Sequence, residues 1–263
     1  MAEYPFTSAL VTGASSGIGA EMARLLGEAG VPTVVVARRG DRLRELADRF
    51  SGFEVLEADL SKRKGQRAVA ARASSNEEPV DLVVNNAGFG TSGQFHELDR
   101  QRLLDEVDVN VRALTAISHA ASTAMAARGG GYLLNVSSVV SFQASPGLAV
   151  YAATKAYVTS LTEALHEELR PHGVHVTALC PGLTPTEFQD RSSTTSLLDR
   201  LPGFVWTSAA SVAETGLADV ARNKTISVPG ALYKGAVLAS EVTPRAITRR
   251  MAGITSEGPF RNA

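Results

Sequence analysis

Tyr151 and Lys155 stand four positions apart in Tyr151-Ala-Ala-Thr-Lys155, inside a segment with helical patterning. That interval puts a phenol and an ammonium on one helix face, one turn apart. A phenol that exchanges a proton with an alcohol must be drawn down from a pKa of about 10. One positive charge at ~4 Å contributes roughly 4 kcal/mol at an effective dielectric of ~20, or about 3 pK units. Lys155 is therefore expected to tune Tyr151. The pair alone is weak evidence, and Ser138 strengthens it. It closes the run Leu134-Asn135-Val136-Ser137-Ser138, where a hydroxyl at a strand end can donate to a substrate oxygen and stabilise developing charge. Ser137 is expected to be a turn cap and Ser138 is not.

A second group of residues suits a phosphate. Thr12-Gly13-Ala14-Ser15-Ser16-Gly17-Ile18-Gly19 follows an apolar run and opens a helical one. Glycines there permit a tight turn and close backbone approach, and the helix N-terminus offers unpaired N–H groups to an anion. The next apolar run ends Val36-Ala37-Arg38-Arg39. A dinucleotide site selecting NAD usually places an acid at that point, to bind the ribose 2′-hydroxyl. Ala37 followed by arginine suits a 2′-phosphate instead, through bidentate charge-assisted hydrogen bonds. Arg38 is the preferred phosphate ligand, helped by Ser15; Arg39 is equally well read as a solvated loop residue. Asp59 could accept from an adenine amino group or cap the following helix, while Asn85-Asn86-Ala87-Gly88 could line the adenine ribose and tie adjacent strands together.

These residues need a scaffold that delivers them to one edge. Nearly continuous apolar runs at 9–12, 33–37, 54–58, 82–85, 132–137, 174–180 and 226–228 predict strands covered on both faces. Helical patterns at 17–29, 42–49, 66–74, 101–127 and 150–170 alternate with them. The expectation is an α/β fold: a single Rossmann-type, doubly wound domain with a seven-stranded parallel sheet flanked by helices. Residues 1–230 would form the dinucleotide-binding and catalytic domain, and 231–263 a C-terminal helical extension. Residues 182–206 break the rhythm with Thr, Ser and Pro around Phe188, Leu197, Leu198, Leu201, Phe204 and Trp206. Long segments of this kind in compact domains are usually functional, which predicts a substrate lid.

The motifs together resemble the short-chain dehydrogenase/reductase family. Its pattern of Thr-Gly-x3-Gly-x-Gly, Asn-Asn-Ala-Gly, a Ser thirteen residues before Tyr-x3-Lys, and Pro-Gly-x3-Thr is matched at Thr12 to Gly19, Asn85 to Gly88, Ser138 with Tyr151 and Lys155, and Pro181-Gly182 with Thr186. The match covers about residues 5 to 230. The resemblance implies Tyr151 as acid/base, Ser138 as orienter of the substrate oxygen, and Lys155 as ribose anchor and pKa tuner. It implies that Asn110 holds a water joining Lys155 to solvent and that Thr186 touches the nicotinamide carboxamide or the phosphates. NADP(H) is the implied cofactor. Its expected contacts are Gly13, Ser15, Ser16, Gly17, Ile18, Gly19, Arg38, Arg39, Asp59, Leu60, Asn86, Ala87, Gly88, Tyr151, Lys155, Pro181, Gly182, Thr184 and Thr186. The reaction would be hydride transfer between cofactor and a ketone, aldehyde or alcohol. Leu183, Phe188, Leu198 and Trp206 suggest an apolar substrate pocket. A carbon–carbon double-bond reductase would separate Tyr and Lys more widely, and sugar epimerases are usually longer. The alternative from another class is a non-catalytic NADP(H)-sensing or scaffold protein. A homodimer or homotetramer is expected, with the tetramer in doubt because of the C-terminal extension.

Bulk composition narrows the rest. A chain of 263 residues with net charge -1 and 20% charged residues gives no reason to expect nucleic acid as a partner. Cys180 is the only cysteine, so no internal disulfide can form, and a reducing, cytoplasmic setting is expected. No apolar run approaches the ~20 residues of a spanning helix, so no integral membrane association is expected. A basic stretch at 244–251, with Arg245, Arg249 and Arg250, reads as a solvated helix face rather than a membrane contact. His172 and His175 lack a third ligand, and no metal site is expected. Cys180 reads as a small buried residue at a strand end.

Overall fold

The structure is a computed structural model that describes residues 4–187 and 202–243. Seven parallel strands form one sheet in the order β3-β2-β1-β4-β5-β6-β7. They are β1 (Ala9–Thr12), β2 (Thr33–Ala37), β3 (Phe53–Glu57), β4 (Leu82–Asn85), β5 (Gly131–Val136), β6 (Val174–Leu179) and β7 (Ile226–Ser227). The helices are α1 (Gly17–Glu28), α2 (Gly40–Ala47), α3 (Arg63–Ala73), α4 (Arg100–Val107), α5 (Leu114–Arg128), α6 (Ala149–Leu169), α7 (Ala209–Ala221) and α8 (Ala231–Val242). This is the doubly wound, Rossmann-type arrangement expected.

Successive strand residues point to opposite faces, and each face is apolar because helices cover both. Val11, Val35, Leu134 and Leu179 pack with Met22 and Leu26 of α1 and Val212 and Leu217 of α7. Leu10, Val34, Leu133 and Val176 face the other way, onto Val69 of α3 and Ile117 and Met125 of α5. The strand order reverses between β1 and β4, so the loops beyond their carboxyl ends diverge and open a crevice.

Two elements differ from expectation. The helix predicted over 101–127 is interrupted by a π-helical turn at Asp108–Ala113, which separates α4 from α5. Such turns add a residue to the helical ladder and re-aim the side chains they carry. Helix α7 was not expected, although Val212, Ala213, Leu217 and Val220 recur at helical spacing and form its buried face. Ser208 caps it by accepting from Ser211 N–H at 3.1 Å, and Gly216 lets it lie close to the sheet. A Cβ at Gly216 would stand 2.8 Å from Leu179 Cδ2 and 3.1 Å from Met22 Cε.

Helix α8 packs against the end of the sheet through Val237 and Tyr233, beside Ala178, Cys180 and Val228. The remainder of the C-terminal stretch, 244–263, lies outside the described residues, as do Phe188, Leu197, Leu198 and Leu201 of the expected lid. The described stems of that segment are joined through Tyr233. Its hydroxyl donates to Val205 O at 2.6 Å and accepts from Leu183 N–H at 2.9 Å. Thr207 N–H donates to Leu183 O at 2.9 Å. Gly182 is required here, since a Cβ would enter the Tyr233 ring at 2.1 Å.

Candidate active site

Helix α6 runs alongside β5 and carries Tyr151 and Lys155 in its first turns, both buried. Ser137 anchors it: its hydroxyl donates to Lys155 O at 2.9 Å and lies 2.7 Å from Thr159 Oγ1. Ser138 continues into a short turn at Val139–Phe142 and caps it, accepting from Val140 N–H at 3.4 Å. The expected division of labour between the two serines is thus altered. The capping hydroxyl is Ser138, and Ser137 ties strand to helix. Ser138 nonetheless also hydrogen-bonds the Tyr151 phenol.

Asn110 sits in the π-helical turn, buried behind this pair. Its amide donates to Phe89 O at 2.8 Å and Thr154 Oγ1 at 3.1 Å, while its carbonyl oxygen accepts from Phe89 N–H at 3.1 Å. The widened turn is what aims Asn110 at α6. A Cβ at Gly88 would lie 3.0 Å from Asn110 Oδ1 and 3.4 Å from Lys155 Nζ, so only glycine leaves this corner open.

In the protein alone, electrostatics run opposite to the tuning expected of Lys155. Burial pushes the Tyr151 phenol up rather than down, the Ser138 hydrogen bond opposes this weakly, and the nearby Glu106 charge adds to the rise. Lys155 is itself lowered to about 8 by burial. Its ammonium donates to Val136 O at 2.8 Å and lies 5.7 Å from the Tyr151 ring centroid. In the protein alone, desolvation of both groups outweighs the attraction assumed from their one-turn separation.

The phosphate loop lies across the same crevice. Ser16 precedes α1 as its N-cap but makes no side-chain cap; its hydroxyl instead accepts from Arg39 Nη2 at 2.9 Å. Arg39 also reaches Ser15 Oγ at 3.1 Å, so the structure turns Arg39 onto the loop. Arg38 is exposed and without a partner among the described residues. Asn86 Nδ2 donates to Thr12 O at 2.9 Å, and Asn85 Nδ2 to Asn135 Oδ1 at 2.9 Å. Both asparagines thus knit neighbouring strands, as expected. Asp59 accepts from Ser61 N–H and hydroxyl, each at 2.9 Å, and so stabilises the turn ahead of α3.

A cavity of about 1020 Å³ collects these groups. It is lined by Gly13, Ser15, Ser16, Gly17, Ile18, Arg38, Arg39, Asp59, Leu60, Asn86, Ala87, Gly88, Ser138, Tyr151, Lys155, Pro181, Gly182, Thr184 and Thr186. Two expected site residues stay behind the wall. Gly19 is a packing residue, whose Cβ would stand 2.5 Å from Gly13 O, and Asn110 acts from below. The wall near Tyr151 is partly apolar, through Phe89, Val139, Val140, Leu148 and Leu183. Trp206 is half-buried and does not line it. The described residues contain no group of three or more His, Cys, Asp or Glu able to hold a metal ion. His175 Nδ1 is 3.2 Å from Val220 O, and Cys180 is buried at the end of β6.

Sequence reading missed Glu187 and Glu106. Glu106 falls on the buried stripe of α4 and the π turn with Leu103, Asn110 and Ala113, where an acid among apolar positions was a usable signal. Neither of its carboxyl oxygens makes a hydrogen bond among the described residues. Thr91 lies close enough to favour the charge but not in good hydrogen-bonding geometry. Burial dominates and lifts Glu106 from 4.5 to about 7, against the pull of Thr91, Lys155 and Arg102. The folded form therefore holds the proton more tightly than the unfolded chain. Stability that is intact below pH 4.5 is lost as pH rises through about 7. By this linkage Glu106→Gln should be more stable than the wild type by about 3 kcal/mol above pH 8, relative to their difference at pH 4. Urea unfolding of both proteins from pH 4 to 9 checks this, and parallel profiles would refute it.

This crevice places the chain among Rossmann-type oxidoreductases. It belongs to the short-chain dehydrogenase family, whose model matches residues 7–196. An uncharacterised oxidoreductase of Myxococcus xanthus is 36% identical over 195 residues, covering 71% of this chain and 76% of that protein. Among solved structures, a short-chain dehydrogenase from Sphingobium yanoikuyae in complex with NADPH is 30% identical with a TM-score of 0.79. It covers 90% of this chain and 96% of its own. The bulky-bulky ketone specific alcohol dehydrogenase from Comamonas testosteroni is 29% identical with a TM-score of 0.76, covering 98% and 96% of the two chains. No helix among the described residues is long and apolar enough to cross a membrane.

Proposed function

We propose that this protein interconverts a carbonyl compound, ketone or aldehyde, and its alcohol with NADP(H), using Tyr151 as acid/base. The observation that carries the reading is the convergence of Ser138, Tyr151 and Lys155 on the cavity that also holds the phosphate loop. The residues present fit the dinucleotide. A side chain at Gly13 would meet Asn86 Nδ2 at 2.7 Å and one at Gly17 would meet Thr186 at 3.1 Å, so both glycines preserve a cradle of bare backbone. Arg38, exposed at its rim, supplies a cation suited to a 2′-phosphate. The NADPH complex of the Sphingobium relative and the ketone named for the Comamonas enzyme agree with this reading.

When bound, the nicotinamide supplies or accepts the hydride. In the reductive direction Ser138 orients the substrate oxygen and Tyr151 gives it a proton. Lys155 would anchor the ribose hydroxyls, and in the oxidative direction the positive nicotinamide of NADP⁺ beside the phenol would lower a pKa that burial alone raises. Asn110 holds the α4–α6 junction on which Lys155 depends. Residues 1–230 form the catalytic unit in this reading, 182–206 its substrate lid and 231–263 an extension. Leu104 and Val107 of α4 and Tyr157 of α6 are exposed apolar residues suited to self-association as a dimer or tetramer.

NADPH oxidation across a panel of aryl and dialkyl ketones and aldehydes tests the reading. Turnover of at least one apolar carbonyl is expected, with little from polar sugars. Tight NADPH binding with no turnover of any carbonyl or alcohol would point instead to an NADP(H)-sensing protein.

A further inference from the structure

We propose that Glu187 holds down the affinity for NADP(H) and not for NAD(H), its carboxylate standing where the 2′-phosphate would be held and having to yield to that phosphate. The proposal rests on the NADP(H) reading above. Glu187 Oε2 accepts from Arg39 Nη1 at 2.8 Å, and Oε1 is held by Arg42. The same Arg39 lies on the Ser15 and Ser16 hydroxyls, at the mouth of the phosphate loop. An anion spanning two guanidiniums beside a helix N-terminus reproduces the chemistry by which a phosphomonoester is bound. Glu187 lines the cavity together with Arg39, Ser15 and Ser16, so the carboxylate is inside the site rather than beside it. The two arginines hold its pKa down to about 2, which keeps the charge in place throughout the neutral range.

The discrimination follows from charge. A 2′-phosphate dianion brings more charge and more acceptor oxygens than a carboxylate, and can take the arginines from Glu187. The 2′-hydroxyl of NAD(H) carries no charge and cannot, so the carboxylate keeps them. Glu187 thus lowers the affinity for NADP(H), the dinucleotide that must displace it, and leaves NAD(H) binding untouched. The side chains of Glu187 and Arg42 remain partly exposed, at 37% and 43%, so the competition is modest in size.

Calorimetric titration of the full chain with adenosine 2′,5′-bisphosphate, 5′-AMP, NADPH and NADH tests this in wild type, Glu187→Gln and Glu187→Asp. Glu187→Gln should bind the 2′-phosphorylated ligands roughly threefold to thirtyfold more tightly, the scale of one or two partly exposed ion pairs. Its affinity for 5′-AMP should stay within about twofold, since that ligand makes no 2′ contact. Glu187→Asp keeps the charge on a shorter stem that cannot span both arginines, and should fall between. Unchanged or weaker binding of the bisphosphate by Glu187→Gln, with wild type still preferring NADPH, would overturn this proposal alone. A wild type that prefers NADH would overturn it together with the NADP(H) reading.

Discussion

Replacing Tyr151 with phenylalanine is expected to lower turnover by about 10²- to 10⁴-fold while NADPH affinity stays within a few fold. The ring is buried at 8% exposure among the turns of α6 and the Ser138 loop, and phenylalanine preserves that packing. Only the exchangeable proton is lost. Folding should be little affected, because removing a hydroxyl that burial already disfavours in its charged form leaves no buried ion behind. Single-turnover measurement with saturating NADPH separates loss of chemistry from loss of binding. Activity within about tenfold of wild type would exclude Tyr151 as the acid, since general acid–base contributions exceed that. The pH dependence carries the second half of this prediction. Because burial raises the phenol in the protein alone, Tyr151 should bind its proton throughout the neutral range, and only the complex with NADP⁺, whose nicotinamide is positive, should show a lowered acidic group.

Arg38→Ala is expected to weaken NADPH about tenfold to a hundredfold and NADH hardly at all, the worth of one charged hydrogen-bonding partner. Arg38 has no other task among the described residues, so its removal should not disturb the fold. Arg39 behaves differently. It already links Ser15, Ser16 and Glu187, so Arg39→Ala loosens the phosphate loop as well as removing a cation. Its expected signature is weaker binding of both cofactors, with the larger loss for NADPH, whose 2′-phosphate would also take Arg39 from Glu187. Paired dissociation constants for NADPH and NADH in the two variants distinguish a phosphate ligand from a loop organiser. Equal losses for both cofactors in Arg38→Ala would reject the selectivity assigned to it.

Much of this protein was legible in its sequence because the relevant physics is local. Strands buried on both faces appear as unbroken apolar runs, and their parallel order follows from the helices between them. The glycine loop, the Asn85–Asn86 pair, Ser138 and the Tyr151–Lys155 spacing each report a backbone or helix-face requirement that needs no distant partner to be recognised. Element ends shifted by up to three residues, two at each end of α2 and three at the start of α3. Helix α7 had a legible stripe at Val212, Ala213, Leu217 and Val220, but its close seating depends on Gly216 meeting Met22 and Leu179, residues far away in the chain.

What tertiary structure alone decided was how charges and polar groups interact once water is excluded. Sequence spacing made Lys155 the group that lowers Tyr151, yet burial raises the one and lowers the other. That Arg39 turns onto the phosphate loop while Arg38 stays exposed could not be read from adjacent positions. There Arg39 pairs with Glu187, 148 residues away in the chain. Glu106 likewise becomes an acid that holds its proton near neutrality only because the fold buries it, against the opposing pull of Thr91 and Lys155. Periodicity, turns and motif spacing are properties of neighbouring residues and survive in the sequence. Desolvation and ion pairing depend on which distant side chains the fold brings to one place, and for this protein those contacts exist only in the folded crevice.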